Sequence, residues 1–179
     1  MKNKIFFSYI LFCVGIIPLS AWSQQVNIGS KDYFLSPSSI LEFPDDDTRG
    51  IVLPKINSAL ATSAAEGTLI YDVIDKKIKY SNGINQWVDL SINTGEVNII
   101  AQDKLTEIAS ANILIGNDPS VAIDGVLVLD SPSKALVLPR VESPHLNIVS
   151  PPTGTIVYDT KSNMMCVFNG KEWAFWAAE

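Results

Sequence analysis

The sequence predicts a mainly β protein built as two tandem β-meander repeats of about 65 residues with short irregular connections. Three observations predict it. The chain beyond residue 23 is written twice in one order. Each copy holds short runs of β-branched and aromatic residues bounded by turn residues. Each copy also carries an Asn-Gly pair, and both residues accept the positive φ of a hairpin loop.

The first 23 residues read as an address. Lys2 and Lys4 make a positive start, an apolar run follows from Ile5 to Leu19, and Pro18 breaks it. Ala21-Trp22-Ser23 then places small residues at the two positions a signal peptidase reads. A run of about 15 residues is short of the roughly 20 that span a bilayer as a helix. The expected mature chain therefore has no transmembrane segment. It is expected to be exported to the periplasm, the cell surface or beyond. Cys13 lacks the flanking pattern of a lipid-anchoring site. The whole chain has 13 basic and 19 acidic residues, net −6. Removal of the leader leaves 11 basic residues and a net of −8, which favours solubility and gives nucleic acid no basic footprint. Cys166 is then the one thiol, either a buried small hydrophobe or an intermolecular bridge.

The repeat is ordered from end to end. Gly50-Ile51-Val52-Leu53-Pro54-Lys55-Ile56 aligns with Ala135-Leu136-Val137-Leu138-Pro139-Arg140-Val141 at an offset of 85. Gly67-Thr68-Leu69-Ile70-Tyr71-Asp72 aligns with Gly154-Thr155-Ile156-Val157-Tyr158-Asp159 at 87, as does Asn82-Gly83 with Asn169-Gly170. Trp87 aligns with Trp173 at 86. Upstream, Asn27-Ile28-Gly29 echoes Leu114-Ile115-Gly116, and Ile40–Phe43 echoes Val126–Leu129. The expected division is a leader over 1–23, one unit over 24–90, a connecting segment over 91–111 and a second unit over 112–179.

Each unit opens on a segment ending in Ile-Gly and continues into a short apolar strand, 40–43 or 126–129. A strand ending in Leu-Pro-basic follows, 51–56 or 136–141, with the donorless Pro54 and Pro139 at a strand end or edge. Three short strands complete the meander, 68–72, 76–80 and 86–90 in the first unit, 155–159, 164–168 and 172–176 in the second. Leu69 and Tyr71 share a face, as do Ile78 and Tyr80, with the lysines of that strand opposite and Trp87 covering the open end. Ile156, Tyr158, Met164, Cys166, Phe168 and Trp173 are expected in the same roles. The lysine-free run Met164–Phe168 suggests burial on both faces. The Ala- and Ser-rich stretch 57–65 suits a short helix, whereas Pro144 argues against one in 142–150. Over 91–108, Val97, Ile100, Leu105 and Ile108 fit a helical stripe, but Val97-Asn98-Ile99 echoes Val26-Asn27-Ile28 and favours a strand.

The order Ser-x-Ile-Leu-x-Phe, Arg-Gly-Ile-Val-Leu-Pro-Lys-Ile, Glu-Gly-Thr-Leu-Ile-Tyr-Asp and Tyr-Ser-Asn-Gly-x-x-x-Trp-Val-Asp-Leu resembles a module of secreted and surface proteins of the Bacteroidota, itself similar to repeats of phage tail-fibre proteins. Residues 24–90 and 112–176 carry it. The resemblance implies a β-rich structural or adhesive element, with a trimer as the implied form, and no catalytic residues. Unlike tail fibres, the chain has no long stalk repeat and no collagen-like tract.

Little points to catalysis. His145 is the one histidine and has no patterned partner for a nucleophilic triad. Asp72 and Asp159 are a repeated acidic pair, but an Asp closing a strand ordinarily bonds the following turn. There is no P-loop or dinucleotide turn. Asp45-Asp46-Asp47 has the wrong spacing for a calcium loop and reads as a solvated turn. No cofactor, metal site or enzyme activity is expected. Binding of a surface glycan, peptide or protein is the alternative function, with Tyr80, Trp87, Phe168, Trp173 and Trp176 as candidate platform residues. Trp176 has no Trp counterpart in the first unit. A unit of about 65 residues buries only about 60% of its unfolded surface and is marginal alone. Unpaired sheet edges then favour packing on another copy, so a homo-oligomer is expected.

Overall fold

Prolines and glycines cut this chain into short strands, and the partner each strand finds sets the architecture. The computed structural model describes residues 25–30, 33–43, 47–83, 86–106, 108, 111–116, 118 and 125–177. The expected leader, Cys13 and Asp45-Asp46 lie outside the described residues.

In the first repeat β1 (Val26–Asn27) lies parallel to β2 (Ser39–Glu42). β3 (Ile51–Val52) and β4 (Lys55–Ile56) follow, separated at Leu53-Pro54, where the missing proline N–H interrupts the ladder. A 3-10 turn at Ser58–Leu60, capped by the Asn57 side chain, leads towards β5 (Leu69–Asp72), β6 (Lys77–Ser81) and β7 (Trp87–Asp89). The second repeat supplies β8 (Ile113–Gly116), β9 (Leu127–Asp130), β10 (Ala135–Leu136), β11 (Arg140–Val141), β12 (Thr155–Asp159), β13 (Met164–Phe168) and β14 (Trp173–Trp176). A single helical turn, α1 (Pro144–Asn147), precedes β12.

Two main sheets result, one in the order β4-β5-β6-β7, the other β11-β12-β13-β14 with β3 added alongside β12. In both, the strand after the Leu-Pro corner runs parallel to the next and the remaining strands run antiparallel.

Two tandem meanders are therefore not the fold. Among the described residues five strand pairs are parallel, β1–β2, β2–β10, β4–β5, β8–β9 and β11–β12. The mainly β content stands, but short strands stack in parallel on successive passes of the chain, in the manner of a β-solenoid. Two pairings also cross between repeats: β3 lies antiparallel to β12 and β10 parallel to β2. The sequence pattern of 51–56 and of 136–141 predicts single strands on an up-and-down path. Each proline corner instead splits its strand and sends the leading half onto the other repeat.

Three smaller expectations also change. Pro144 opens α1 instead of preventing it, because its fixed φ suits a first helical turn. The described part of 91–111 holds no strand; it has a 3-10 turn at Gln102–Lys104, and its backbone at Gly95 and Glu96 bonds elsewhere. In β13 the residues facing the main core with Ile156 are Met165 and Val167, not Met164, Cys166 and Phe168. A one-residue slip in a strand exchanges its two faces.

The core shows how far the repeats depend on each other. One cluster joins Leu53, Tyr71, Ile78 and Leu90 of the first repeat to Ile156, Val167 and Ala174 of the second. Leu69, Tyr80, Val97 and Met165 pack around it. A second, smaller cluster of Val141, Val157 and Cys166, covered by Ile148, Met164 and Trp173, lies within the second repeat. The run Met164–Phe168 thus packs on both faces, one of them against the first repeat.

Candidate functional site

Where the first repeat and the connecting segment meet the second repeat, a group of polar contacts gathers around one buried residue. That residue is Asn169, in the turn between β13 and β14 and 1% exposed. The Asn169 carbonyl accepts from the Tyr71 hydroxyl at 3.0 Å and from Glu96 N at 3.1 Å. Its Nδ2 donates to the Asn93 carbonyl at 3.0 Å, and its Oδ1 accepts from Lys171 N and Glu172 N, each at 2.9 Å. Around it, Thr153 Oγ1 donates to Glu96 O at 3.0 Å and Asn93 Nδ2 to Glu172 Oε1 at 2.6 Å. Leu53 N donates to Gly154 O at 3.0 Å, and Trp176 Nε1 donates to the Leu90 carbonyl. Burial, with a contribution from Asp72, pushes the Tyr71 phenol up to about 12, so it acts here as a neutral donor.

The two repeated aspartates hold turns together. Asp72 Oδ1 accepts from Ile74 N at 2.7 Å and Asp75 N at 3.3 Å, while Oδ2 meets Ser58 Oγ and, at 3.1 Å, Lys79 Nζ. Asp159 accepts from Ser143 N and Lys161 N, each at 2.9 Å, and from Ser162 Oγ at 2.7 Å. Burial works to raise both carboxyls, but these donors outweigh it and hold each below its ordinary range. Every carboxylate oxygen is committed to structure, which is the turn-closing role their position suggested.

The candidate platform residues do not converge. Tyr80 is half-buried against the shared core, and Trp87 is half-buried in β7 opposite Ser81. Phe168 and Trp173 face each other across β13 and β14, ring centroids 5.3 Å apart, with Trp173 covering the smaller cluster. Trp176 is 40% exposed and bonded to the first repeat. Its neighbour Phe175, equally exposed, meets His145 edge-on at 5.6 Å. Cys166 is fully buried; burial first, and the Asp159 charge second, push its thiol up to about 11. Such a thiol is protonated and unreactive at neutral pH. Among the described residues no group of three or more His, Cys, Asp and Glu is placed to hold a metal ion, and no helix is long and apolar enough to cross a membrane.

Asn93, Glu96 and the burial of Asn169 carry no signal in the repeat pattern. Asn82-Gly83 and Asn169-Gly170 look alike as written, and nothing local marks which turn is covered. Asn93-x-Gly95 in the connecting segment was the available hint, since Gly95 lies where a Cβ would collide with the Asn169 carbonyl.

Residues 115–178 match the phage tail like trimerisation region. The match spans the second repeat, just over a third of the chain. No curated protein matches the chain. No solved structure matches it. The second repeat is thus a β-rich unit similar to a phage tail like trimerisation region, and the ordered repeat makes the first its diverged copy.

Proposed function

We propose that this chain is an exported, non-catalytic structural protein of the cell exterior, with an adhesive role, and that it works as a homotrimer. The observation that carries the reading is the match of residues 115–178 to a trimerisation region. The commitment of Asp72, Asp159 and Asn169 to internal hydrogen bonds supports it, since these repeated polar residues serve the fold. Export rests on the leader-like residues 1–23, and the surface role on the resemblance to secreted and surface modules. Multi-angle light scattering on residues 24–179 is expected to give three times the chain mass. A monomer at micromolar concentration overturns the trimer.

A second reading, binding of a surface glycan or peptide, draws on the exposure of Trp176 at the end of β14. Glycan-array binding that disappears in Trp176→Ala would favour it over the purely structural one.

A further inference from the structure

Repetition implies that a surface used by one repeat exists, unused, on the other. The contact of β3 with β12 has a giving side on the first repeat and a receiving side on the second. The giving side is Ile51 to Leu53, with the Tyr71 hydroxyl beside it. The receiving side is Gly154 to Ile156, with the Asn169 carbonyl beside it.

The receiving side recurs at Gly67–Leu69. There β4 reaches only Tyr71 and Asp72 of β5, and no described strand continues along that edge past Leu69. A Cβ on Gly154 would meet the Leu53 backbone at 3.5 Å, whereas one on Gly67 would meet nothing within 4 Å. The space that Leu53 fills beside Gly154 is therefore open beside Gly67. Asn82 is likewise exposed where Asn169 is buried.

The giving side recurs at Leu136–Leu138. β10 is the end strand of its sheet, and Ala135 N and Val137 N donate towards β2, to Ser38 O at 2.8 Å and Leu41 O at 2.9 Å. Alternate backbone groups point to opposite sides of a strand, so Leu136 and Leu138 present theirs on the other edge. They are the counterparts of Ile51 and Leu53. Tyr158, counterpart of the fully buried Tyr71, is half-exposed.

We infer that the open edge Gly67–Leu69 of one copy receives β10 of a second copy, by the antiparallel pairing that β3 makes with β12. The occupant is a second copy because the fitting strand, with the matching proline corner and tyrosine, is on this chain and, among the described residues, pairs along its opposite edge alone. The contact is heterologous, so it closes into a ring or propagates. This rests on the homo-oligomer reading and adds the surface through which copies join.

Val52 faces Thr155 in the internal pair; their counterparts are Val137 and Thr68. Facing residues of this kind lie at disulfide-compatible separation. The double variant Thr68→Cys/Val137→Cys of residues 24–179, oxidised and run on a non-reducing gel, is expected to give covalent oligomers. The pair Thr68→Cys/Val52→Cys is expected to remain monomeric on the same gel. The reverse pattern would mean that first repeats pair with first repeats and would overturn the inference. Light scattering on the reduced variants separates the two readings. Oligomers without cross-linking overturn this surface alone, and monomers of the unmodified chain overturn the homo-oligomer with it. Circular dichroism melts matching the unmodified chain establish that the cysteines leave the fold intact.

Discussion

The outer faces of β6 and β13 occupy equivalent places and are built from opposite chemistry. In the first repeat Lys79, 7% exposed, lies 3.1 Å from Asp72 and 3.9 Å from Asp89, and also bonds Asp75. In the second, the same position is Cys166, packed with Val141 and Val157. Its cross-strand neighbour is Phe175 where Lys79 has Asp89. Ser162 stands where the first repeat has Asp75. The aspartate at the strand end is retained in both, with its turn. The difference teaches that the module's backbone needs the turn-closing carboxylate, while the face beside it accepts either a charge network or a small apolar cluster.

The largest expected effect tests whether the repeats are separable at all. Residues 25–90 alone lose β10 from β2, β12 from β3 and half of the shared core. No cooperative melt is expected by circular dichroism, and a sharp transition would break the comparison by making each repeat a domain. Next is an exchange of the two outer faces. Cys166→Lys places a charge where Asp89 and Asp75 have no acidic counterparts, and should cost about 3–5 kcal/mol in urea unfolding. Lys79→Met removes a cation from Asp72, which keeps its Ser58, Ile74 and Asp75 donors, and should cost about 1–3 kcal/mol. Equal costs would mean that the faces are interchangeable.

The smallest effect concerns acid. Both aspartates are held below the ordinary value of 3.8, so each contributes stability in full above that pH. The contribution fades as pH falls below 3.8 through the depressed folded value. Asp72 leans partly on the Lys79 charge, Asp159 on neutral donors alone. Both carboxylates are buried, where salt screens little, so the acid step lost in Asp72→Asn and that lost in Asp159→Asn should each persist at high salt. Unfolding from pH 5 to 2 at two salt concentrations, about 0.05 and 0.5 M, checks it.

Much of this was readable in the residues. The strands at 155–159 and 164–168, the Asn-Gly turns and the turn-closing aspartates follow from local chemistry. So does the burial of Cys166 in a lysine-free run. What was not readable is partnership. Whether Ile51-Val52 lies beside its own repeat or the other depends on which edge is vacant after folding, a property of the whole chain. The Met165 and Val167 register escaped for a related reason. Every residue from Met164 to Phe168 is apolar or thiol, so alternation carries no signal there. Likewise, Asn82 and Asn169 differ in what covers them, and a covering segment far off in the sequence leaves no mark on the turn.

Each Leu-Pro corner is a point where the chain crosses from one sheet to another, β3 clasping the second repeat and β10 clasping the first. A tension applied between the ends would load both clasps together, because neither repeat can be drawn away while the other holds its strand. Mechanically the chain is a buckle with two tongues, and the force that opens it is set by the two acting at once.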